Sequence, residues 1–149
     1  MNWIKTPAYY KYYGKTFRID TDADDELTGH VLNLRTGAFD RADDQVDRVM
    51  FSRSGDVYSL SEAEFVNDTE VERATYLTGD GPIFALYDTI KAIRAHAAAE
   101  GRKLTPHETA LIVGLRKKTF KMWEEEFARR DNGEPAENVV AAEDEESSA

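Results

Sequence analysis

Four cationic side chains lie within six residues of one another in a chain whose net charge is −10. They are Arg116, Lys117, Lys118 and Lys121. Arginine and lysine donate hydrogen bonds to phosphate oxygens and to guanine, so this cluster suits contact with a nucleic acid. Residues 102–130 carry eight basic and four acidic side chains, whereas residues 1–101 and residues 131–149 each carry a net charge of −7. Because the local field decides where a polyanion binds, any such contact is confined to the basic segment.

Small and apolar residues around Gly114 resemble the helix-turn-helix motif of DNA-binding proteins over residues 105–127. Ala110 is a small residue four positions before Gly114. In that motif the small residue lets two helices cross closely, and the glycine permits a left-handed turn between them. The apolar residues at the motif's core positions are Val113, Leu115, Phe120 and Trp123. The resemblance predicts two helices that meet at Gly114 and pack against a helix over residues 82–100.

A helix-turn-helix implies a second helix that begins near Arg116 and enters the major groove with its N-terminal residues towards the base edges. The resemblance therefore places Arg116 and Lys117 nearest the bases, and Lys118 and Lys121 on phosphates. The further DNA contacts that it implies are Thr119, Arg102 and Lys103. A single motif of this kind usually binds DNA as part of a dimer, which favours a homodimer.

The alternative is one continuous helix over residues 106–130, since a glycine inside a helix costs only about 1 kcal/mol relative to alanine. In that helix three glutamates would pair with three cations at helical spacing. These residues are Glu124, Glu125 and Glu126 with Lys121, Arg129 and Arg130. The basic residues would then form a solvent-exposed surface. In both interpretations the helix begins with Thr105 as N-cap and Glu108 as the capping-box partner.

No pattern in the sequence supports catalysis, a bound metal or a cofactor. The chain has no cysteine, which excludes disulfides, thiol nucleophiles and thiolate zinc sites. Residues 20–26 resemble the start of a calcium loop, but the glycine and glutamate that an EF-hand needs are replaced by Asp25 and Val31. The three histidines are scattered, and no P-loop, nucleophile elbow or dinucleotide-binding glycine pattern occurs. We therefore expect a protein that is not an enzyme.

The predicted elements indicate an α+β fold. Alternating apolar residues predict strands in the first half, and the clearest hairpin places Val49 and Phe51 on a strand that returns over residues 57–60. Ser61 and Glu64 match a capping box, which predicts a short helix after the hairpin. The resulting fold is a small N-terminal antiparallel sheet, or a partial barrel, followed by a helical part and a disordered acidic tail. The predicted domains are residues 1–78, 79–130 and 131–149.

Two further features allow more than one interpretation. An aromatic cluster, consisting of Trp3, Tyr9, Tyr10, Tyr12 and Tyr13, could stack single-stranded bases, but it has few cations beside it. A protein-binding surface or a sheet core is the favoured explanation. The acidic residues of 131–149 could cover the basic segment and compete with phosphates, whereas a purely solubilising tail is the favoured explanation.

We expect a DNA-binding protein, such as a bacterial or phage regulator or an accessory of DNA packaging or replication. Its acidic N-terminal part would bind a protein partner. The alternatives are an acidic protein–protein adaptor or structural protein, and an acidic inhibitor that imitates DNA. No signal-peptide pattern or apolar stretch of membrane-spanning length occurs, which predicts a cytoplasmic protein without membrane contact.

Overall fold

The computed structural model describes residues 4–141. Contacts between residues divide the chain into two compact units, Met1–Glu72 and Arg73–Ala149. No helix among the described residues is both long and apolar enough to cross a membrane.

The first unit is built on an open five-stranded sheet in which every neighbouring pair of strands is antiparallel. The strands are β1 (Ala8–Tyr12), β2 (Lys15–Thr21), β3 (Leu27–Leu32), β4 (Phe39–Arg41) and β5 (Val57–Leu60), in the order β4-β3-β2-β1-β5. The predicted antiparallel sheet and α+β class are thus confirmed, and the sheet stays open instead of closing into a barrel.

One face of the sheet carries the core of this unit. Phe17 and Ile19 alternate along β2 and are fully buried, as the period-2 pattern requires. They pack with Val46 and Val49, which lie on a short helix, α1 (Val46–Phe51). The prediction of a strand through Val49 and Phe51 is therefore wrong. The two valines are three residues apart, so a helical turn points both at the sheet, whereas Phe51 is left exposed.

The helix predicted after the hairpin is confirmed as α2 (Glu62–Tyr76). Its capping box forms as expected: the Glu64 amide donates to Ser61 Oγ, and the Ser61 amide donates to Glu64 Oε1. The buried face of α2 begins with the apolar Phe65 and continues with polar residues. Thr69 Oγ1 lies 2.8 Å from Thr16 Oγ1, and Glu72 Oε1 lies 2.6 Å from Lys11 Nζ. Pairing of this kind offsets the cost of burying polar groups.

The second unit contains two long helices, α3 (Pro82–Ala99) and α4 (Pro106–Asp131), and a small ladder of β6 (Gly79–Asp80) with β7 (Val139–Val140). Trp123 is fully buried in its core, and its indole N–H donates to Tyr87 Oη at 2.8 Å. The guanidinium of Arg73 lies 5.1 Å from the centre of the indole ring, within the range of a cation–π interaction. The Trp123 ring of α4 thus contacts α3 through Tyr87 and the beginning of this unit through Arg73.

Helix α4 runs without a break through Gly114, so the turn that the helix-turn-helix resemblance predicts there is wrong. Its N-terminus is as expected, with a capping box between Thr105 and Glu108. Gly114 does not have a positive φ. The buried positions Ile112 and Trp123 lie on either side of it, and a turn between them would break the face that the helix buries. Burial along this face outweighs the roughly 1 kcal/mol that a helical glycine costs.

The predicted disordered tail covers residues 131–149. Residues 132–141 instead return to α4 and include β7. The side chain of Asn138 is buried, and its Oδ1 accepts a hydrogen bond from the amide of Ile83 at the start of α3. Residues 142–149 of the predicted tail lie outside the described residues.

Glu126 holds this returning segment in place. Its side chain is fully buried and accepts hydrogen bonds from the amides of Glu137 and Asn138 and from the guanidinium groups of Arg129 and Arg130. Burial by itself raises the pKa of the carboxyl group, but these hydrogen bonds, together with one from Asn138 Nδ2, outweigh it and lower the pKa from 4.5 to about 2.

Gly114→Ala distinguishes a continuous helix from a turn. A Cβ at position 114 would meet no atom within 4 Å, so alanine is expected to raise the free energy of unfolding by about 1 kcal/mol. Urea unfolding followed by circular dichroism measures this. The matched control is Gly81→Ala, where φ is 128° and the new Cβ would lie 2.5 Å from the carbonyl oxygen of Glu137, so stability should fall. A loss of stability in Gly114→Ala would contradict the continuous helix.

Glu126→Ala is expected to lower the free energy of unfolding by about 3–5 kcal/mol, because Arg129, Arg130 and the buried amides lose their partner. The fluorescence of Trp123 in a Trp3→Phe background reports this during urea unfolding. Glu125→Ala, an exposed neighbour, should change stability by no more than about 0.5 kcal/mol.

The difference between wild type and Glu126→Ala should also depend on pH. The folded pKa of about 2 lies below the ordinary value of 4.5, so the stabilisation is complete above pH 4.5 and is lost as the pH falls towards 2. A difference that stays constant across this window would show that the charge of Glu126 does not contribute.

Candidate functional site

The structure does not bring together all the residues expected to contact DNA. Thr119 is fully buried, and its hydroxyl donates to the carbonyl oxygen of Arg116, so it cannot reach a base. Arg116 itself is half-buried on α4. Without a turn at Gly114, neither residue lies at the N-terminus of a recognition helix, and the expected base contacts lose their geometric basis.

Arg102 is also engaged within the chain. Its Nη1 and Nη2 donate to the two carboxylate oxygens of Glu108 at 2.7 and 3.2 Å, and its Nε donates to Glu100 at 2.7 Å. The hydrogen bond from Arg102 lowers the pKa of Glu108 to about 2, and the amide of Thr105 contributes further. Arg102 thus supports the start of α4, and the phosphate contact expected from it stays a prediction. Lys103, by contrast, is exposed and forms no salt bridge with any described residue.

Three of the predicted cations do form an exposed surface, which we call the lysine ridge: Lys117, Lys118 and Lys121. All three are exposed, and none forms a salt bridge within residues 4–141. At 3.6 residues per turn they lie on one side of α4, one turn beyond the exposed Gly114. The expected pairing of Glu126 with Arg129 and Arg130 is confirmed, whereas Lys121 has no such partner. The ridge therefore has three uncompensated charges.

A second surface lies in the first unit and consists of an open cleft of about 630 Å³, which we call the aromatic cleft. Its lining residues are Tyr12, Tyr13, Asp47, Arg48, Phe51 and Ser52. Tyr13 and Phe51 are 56% and 59% exposed, so two large aromatic rings meet solvent at this one cleft. One aspartate and one arginine balance its formal charge.

The backbone that presents Tyr13 has an unusual conformation. Tyr12 and Lys15 form a ladder pair, so Tyr13 and Gly14 are the two loop residues of the β1–β2 hairpin. Both have positive φ, 48° and 80°, the pattern of a type I′ turn, which normally favours asparagine, aspartate or glycine. The Tyr13 amide donates to the carbonyl of Asp56 at 3.0 Å, and its ring contacts the ring of Tyr12 edge-on. The turn therefore holds a large aromatic side chain in solvent, where most hairpins place a small polar residue.

The aromatic cluster expected near the N-terminus is only partly retained. Tyr10 packs on the sheet core, and the ring of Tyr9 lies 4.5 Å from that of Phe65. Trp3 lies outside the described residues. Only Tyr12 and Tyr13 line the cleft, and they are joined by Phe51, which sequence reasoning had assigned to a strand. The alternation of Val49 and Phe51 in the sequence predicted a strand. The helical spacing that leaves the Phe51 ring exposed was therefore not recognised.

The acidic and histidine residues do not assemble into a metal site among residues 4–141. In the acidic loop, Asp22 Oδ1 accepts hydrogen bonds from the amides of Asp24 and Glu26, so its side chain stabilises a turn. His30 Nδ1 lies 3.6 Å from Asp20, and burial together with the nearby Arg18 lowers the pKa of the imidazole.

No protein-family model matches this chain, and neither curated proteins nor solved structures show a match to it.

Proposed function

We propose that this chain is a non-enzymatic adaptor that binds a partner protein through the aromatic cleft. The observation that carries this proposal is the pair of rings, Tyr13 and Phe51, that are more than half exposed at one cleft. Covering exposed apolar area of this kind with a partner has a favourable free energy. Aromatic residues and arginine are also enriched at the centres of protein interfaces. The positive φ of Tyr13 adds support, since unfavourable backbone conformations persist mainly where they serve a purpose.

The charge of the first unit favours a basic partner. Residues 1–72 carry fifteen acidic and eight basic side chains. Such a field speeds the encounter with a positively charged surface and slows that with a polyanion. Within the cleft the charges of Asp47 and Arg48 cancel, so apolar contact supplies most of the affinity. A partner with an apolar centre and a basic rim fits both features.

Tyr13→Asn and Phe51→Ala test this proposal. Asparagine removes the ring but suits the positive φ of the turn, so the hairpin is expected to keep its structure. Proteins retained from a cell extract by the wild-type chain would be identified, and affinity would be measured with the purified partner. Each variant is expected to weaken binding about tenfold or more. The size of this loss should depend little on salt, because the lost contacts are apolar.

The matched control is Tyr76→Ala, which removes an equally exposed tyrosine from the end of α2. It should bind the partner as the wild type does. A partner that binds Tyr13→Asn and Phe51→Ala with wild-type affinity would refute the aromatic cleft as the binding surface.

Sequence-independent DNA binding through the lysine ridge is the second candidate function, supported by the three uncompensated charges on α4. Phosphate contacts need no recognition helix, so this function does not require the turn at Gly114. The dimer expected from the motif loses its basis together with the motif.

A salt titration of duplex DNA binding tests this second function. Three phosphate contacts predict that log K falls with log salt at a slope of about −2.7, and changing Lys117, Lys118 and Lys121 to alanine should abolish this binding. Lys91→Ala, which removes an exposed lysine from α3, is the control. Absence of binding at low salt, or equal loss in the control, would exclude the lysine ridge as a DNA-binding surface.

A further inference from the structure

Among the described residues, one long side of β5 has no neighbouring strand. In the sheet order β4-β3-β2-β1-β5, β5 is paired with β1 alone. The strand lies at the surface, since Tyr58 is 50% exposed and Ser59 is also exposed. A strand in this position presents backbone N–H and C=O groups that can pair with a further strand. Its capacity to bind one depends on which of these groups are already bonded.

The register of the β1–β5 pair shows that the backbone polar groups of Ser59 point away from β1. In an antiparallel pair, residues that exchange hydrogen bonds alternate with residues that do not. The Tyr13 amide donates to the carbonyl oxygen of Asp56, so the bonded pairs occur at every second position from there. Ser59 lies three positions beyond Asp56, opposite Tyr10, and is therefore not bonded to β1. Its N–H and C=O groups face the open side, and no residue among 4–141 forms a hydrogen bond with them.

The open side of β5 is short, because both ends of the strand are bonded within the chain. At one end the Val57 amide donates to the carbonyl oxygen of Ser54 at 3.3 Å, which leaves the Val57 carbonyl for a new partner. At the other end the Ser61 amide donates to Glu64 Oε1, and the Ser61 carbonyl accepts a hydrogen bond from α2. A new strand therefore finds the N–H and C=O of Ser59 and the C=O of Val57. In an antiparallel arrangement these groups bond to one short segment.

The opposite edge of the sheet carries protection that β5 lacks. β4 is three residues long, and two of these residues, Asp40 and Arg41, are charged. Short edge strands and charged side chains are common means of preventing pairing at a sheet edge. β5, which comprises Val57–Leu60, contains neither a charged residue nor a proline. Strand addition is thus opposed at β4 and unopposed at β5.

The charges at the two ends of β5 indicate which segment can occupy this edge. Asp56 precedes the strand, Glu62 begins α2 directly after it, and both side chains are exposed. If two copies of β5 paired symmetrically about Ser59, Asp56 of one copy would approach Glu62 of the other, because both lie three residues from Ser59. Facing like charges are destabilising, so the charges disfavour a second copy.

Basic residues at the same two places are favoured instead. We propose that β5 binds an extended segment of a partner protein as an added antiparallel strand, with a basic residue near Asp56 and another near Glu62. The first unit carries fifteen acidic and eight basic side chains, so its field also attracts such a segment at longer range. This binding does not depend on the aromatic cleft, because it uses backbone groups and not the exposed rings.

The probe for this proposal is a capped seven-residue peptide, Lys-Thr-Val-Thr-Val-Thr-Lys, added to the full chain. Its fourth residue is expected to pair with Ser59. Amide hydrogen exchange and chemical shifts in NMR spectra report the binding. In the free chain Ser59 should exchange fast, whereas Tyr58 and Leu60, whose amides face β1, should exchange slowly. When about nine tenths of the chains hold peptide, exchange at Ser59 should slow about tenfold, because only free chains then exchange.

Two N-methylated peptides test the hydrogen bonds with the wild-type chain. A methyl group on the fourth amide removes the donor to the Ser59 carbonyl, so binding should weaken about tenfold or more. A methyl group on the third amide points away from β5 and should leave the affinity unchanged. Glutamate in place of both lysines should also weaken binding, and this difference should vanish near 1 M salt, where the Debye length is about 3 Å. Equal affinity of the two N-methylated peptides, or of the lysine and glutamate peptides at low salt, would overturn the proposal.

Ser59→Pro tests the same pairing from the side of the protein. Proline removes an N–H that faces away from β1, so the β1–β5 ladder should remain while peptide affinity falls about tenfold or more. Slow exchange at Tyr58 and Leu60 verifies the ladder in this variant, and the N-methylated peptides decide the outcome if the variant does not fold. The matched control, Ser59→Ala, keeps the backbone donor and should bind as the wild type does. Wild-type affinity in a folded Ser59→Pro chain would refute strand addition.

Tyr13→Asn separates this edge from the aromatic cleft and should bind the peptide with wild-type affinity. Loss of binding in that variant would place the peptide in the cleft and contradict pairing at β5. Protection of Ser59 that rises with protein concentration in the absence of peptide would show that a second copy occupies the edge, which also contradicts the proposal.

Discussion

The buried carboxylate of Glu126 is the interaction on which the second unit depends. A charged group in an apolar surrounding is costly unless hydrogen bonds and opposite charges satisfy it, and here backbone amides, an asparagine and two arginines do so. These donors come from α4 and from the segment that follows it. The carboxylate therefore fixes the path of residues 132–141. Within this segment, Asn138 accepts a hydrogen bond from the Ile83 amide and so links the segment to the first turn of α3. Continuity of α4 up to Glu126 is a condition for the whole arrangement.

This constraint also determines which functions the geometry can support. A helix that is unbroken from Pro106 to Asp131 presents its cations as a ridge along its side, not as the tip of a recognition helix. Side-on lysines can contact phosphates or carboxylates, but they do not place arginine against base edges. The basic segment therefore lacks the helix tip that reading a base sequence requires. The first unit offers a different chemistry, because the aromatic cleft presents two exposed rings beside one aspartate and one arginine.

Local signals in the sequence predicted the elements whose causes are local. Capping boxes at Ser61 and Thr105 marked helix starts, because the donors and acceptors that satisfy a free helix end lie within four residues. Alternating apolar residues predicted strands in the first half, because a side-chain period of two is also a local property. The predictions of a hairpin through Val49 and of a turn at Gly114 were wrong. Short apolar runs and single glycines are compatible with two structures, and tertiary packing decides which one forms. The exposed Phe51 could not be recognised as part of a site while its segment was taken for a strand.

The sequence by itself determined the charge distribution, the absence of thiol chemistry, the α+β class and the lysines at 117, 118 and 121, since these follow from residue type and nearest-neighbour spacing. Only the tertiary structure decided that α4 is one helix, that Thr119 and Arg102 are engaged within the chain, and that Tyr13 and Phe51 share a cleft. The physical reason is that each of these outcomes depends on burial or pairing between residues that lie in different elements. Asn138 and Ile83, for example, are 55 residues apart, and no local pattern encodes the hydrogen bond that joins them.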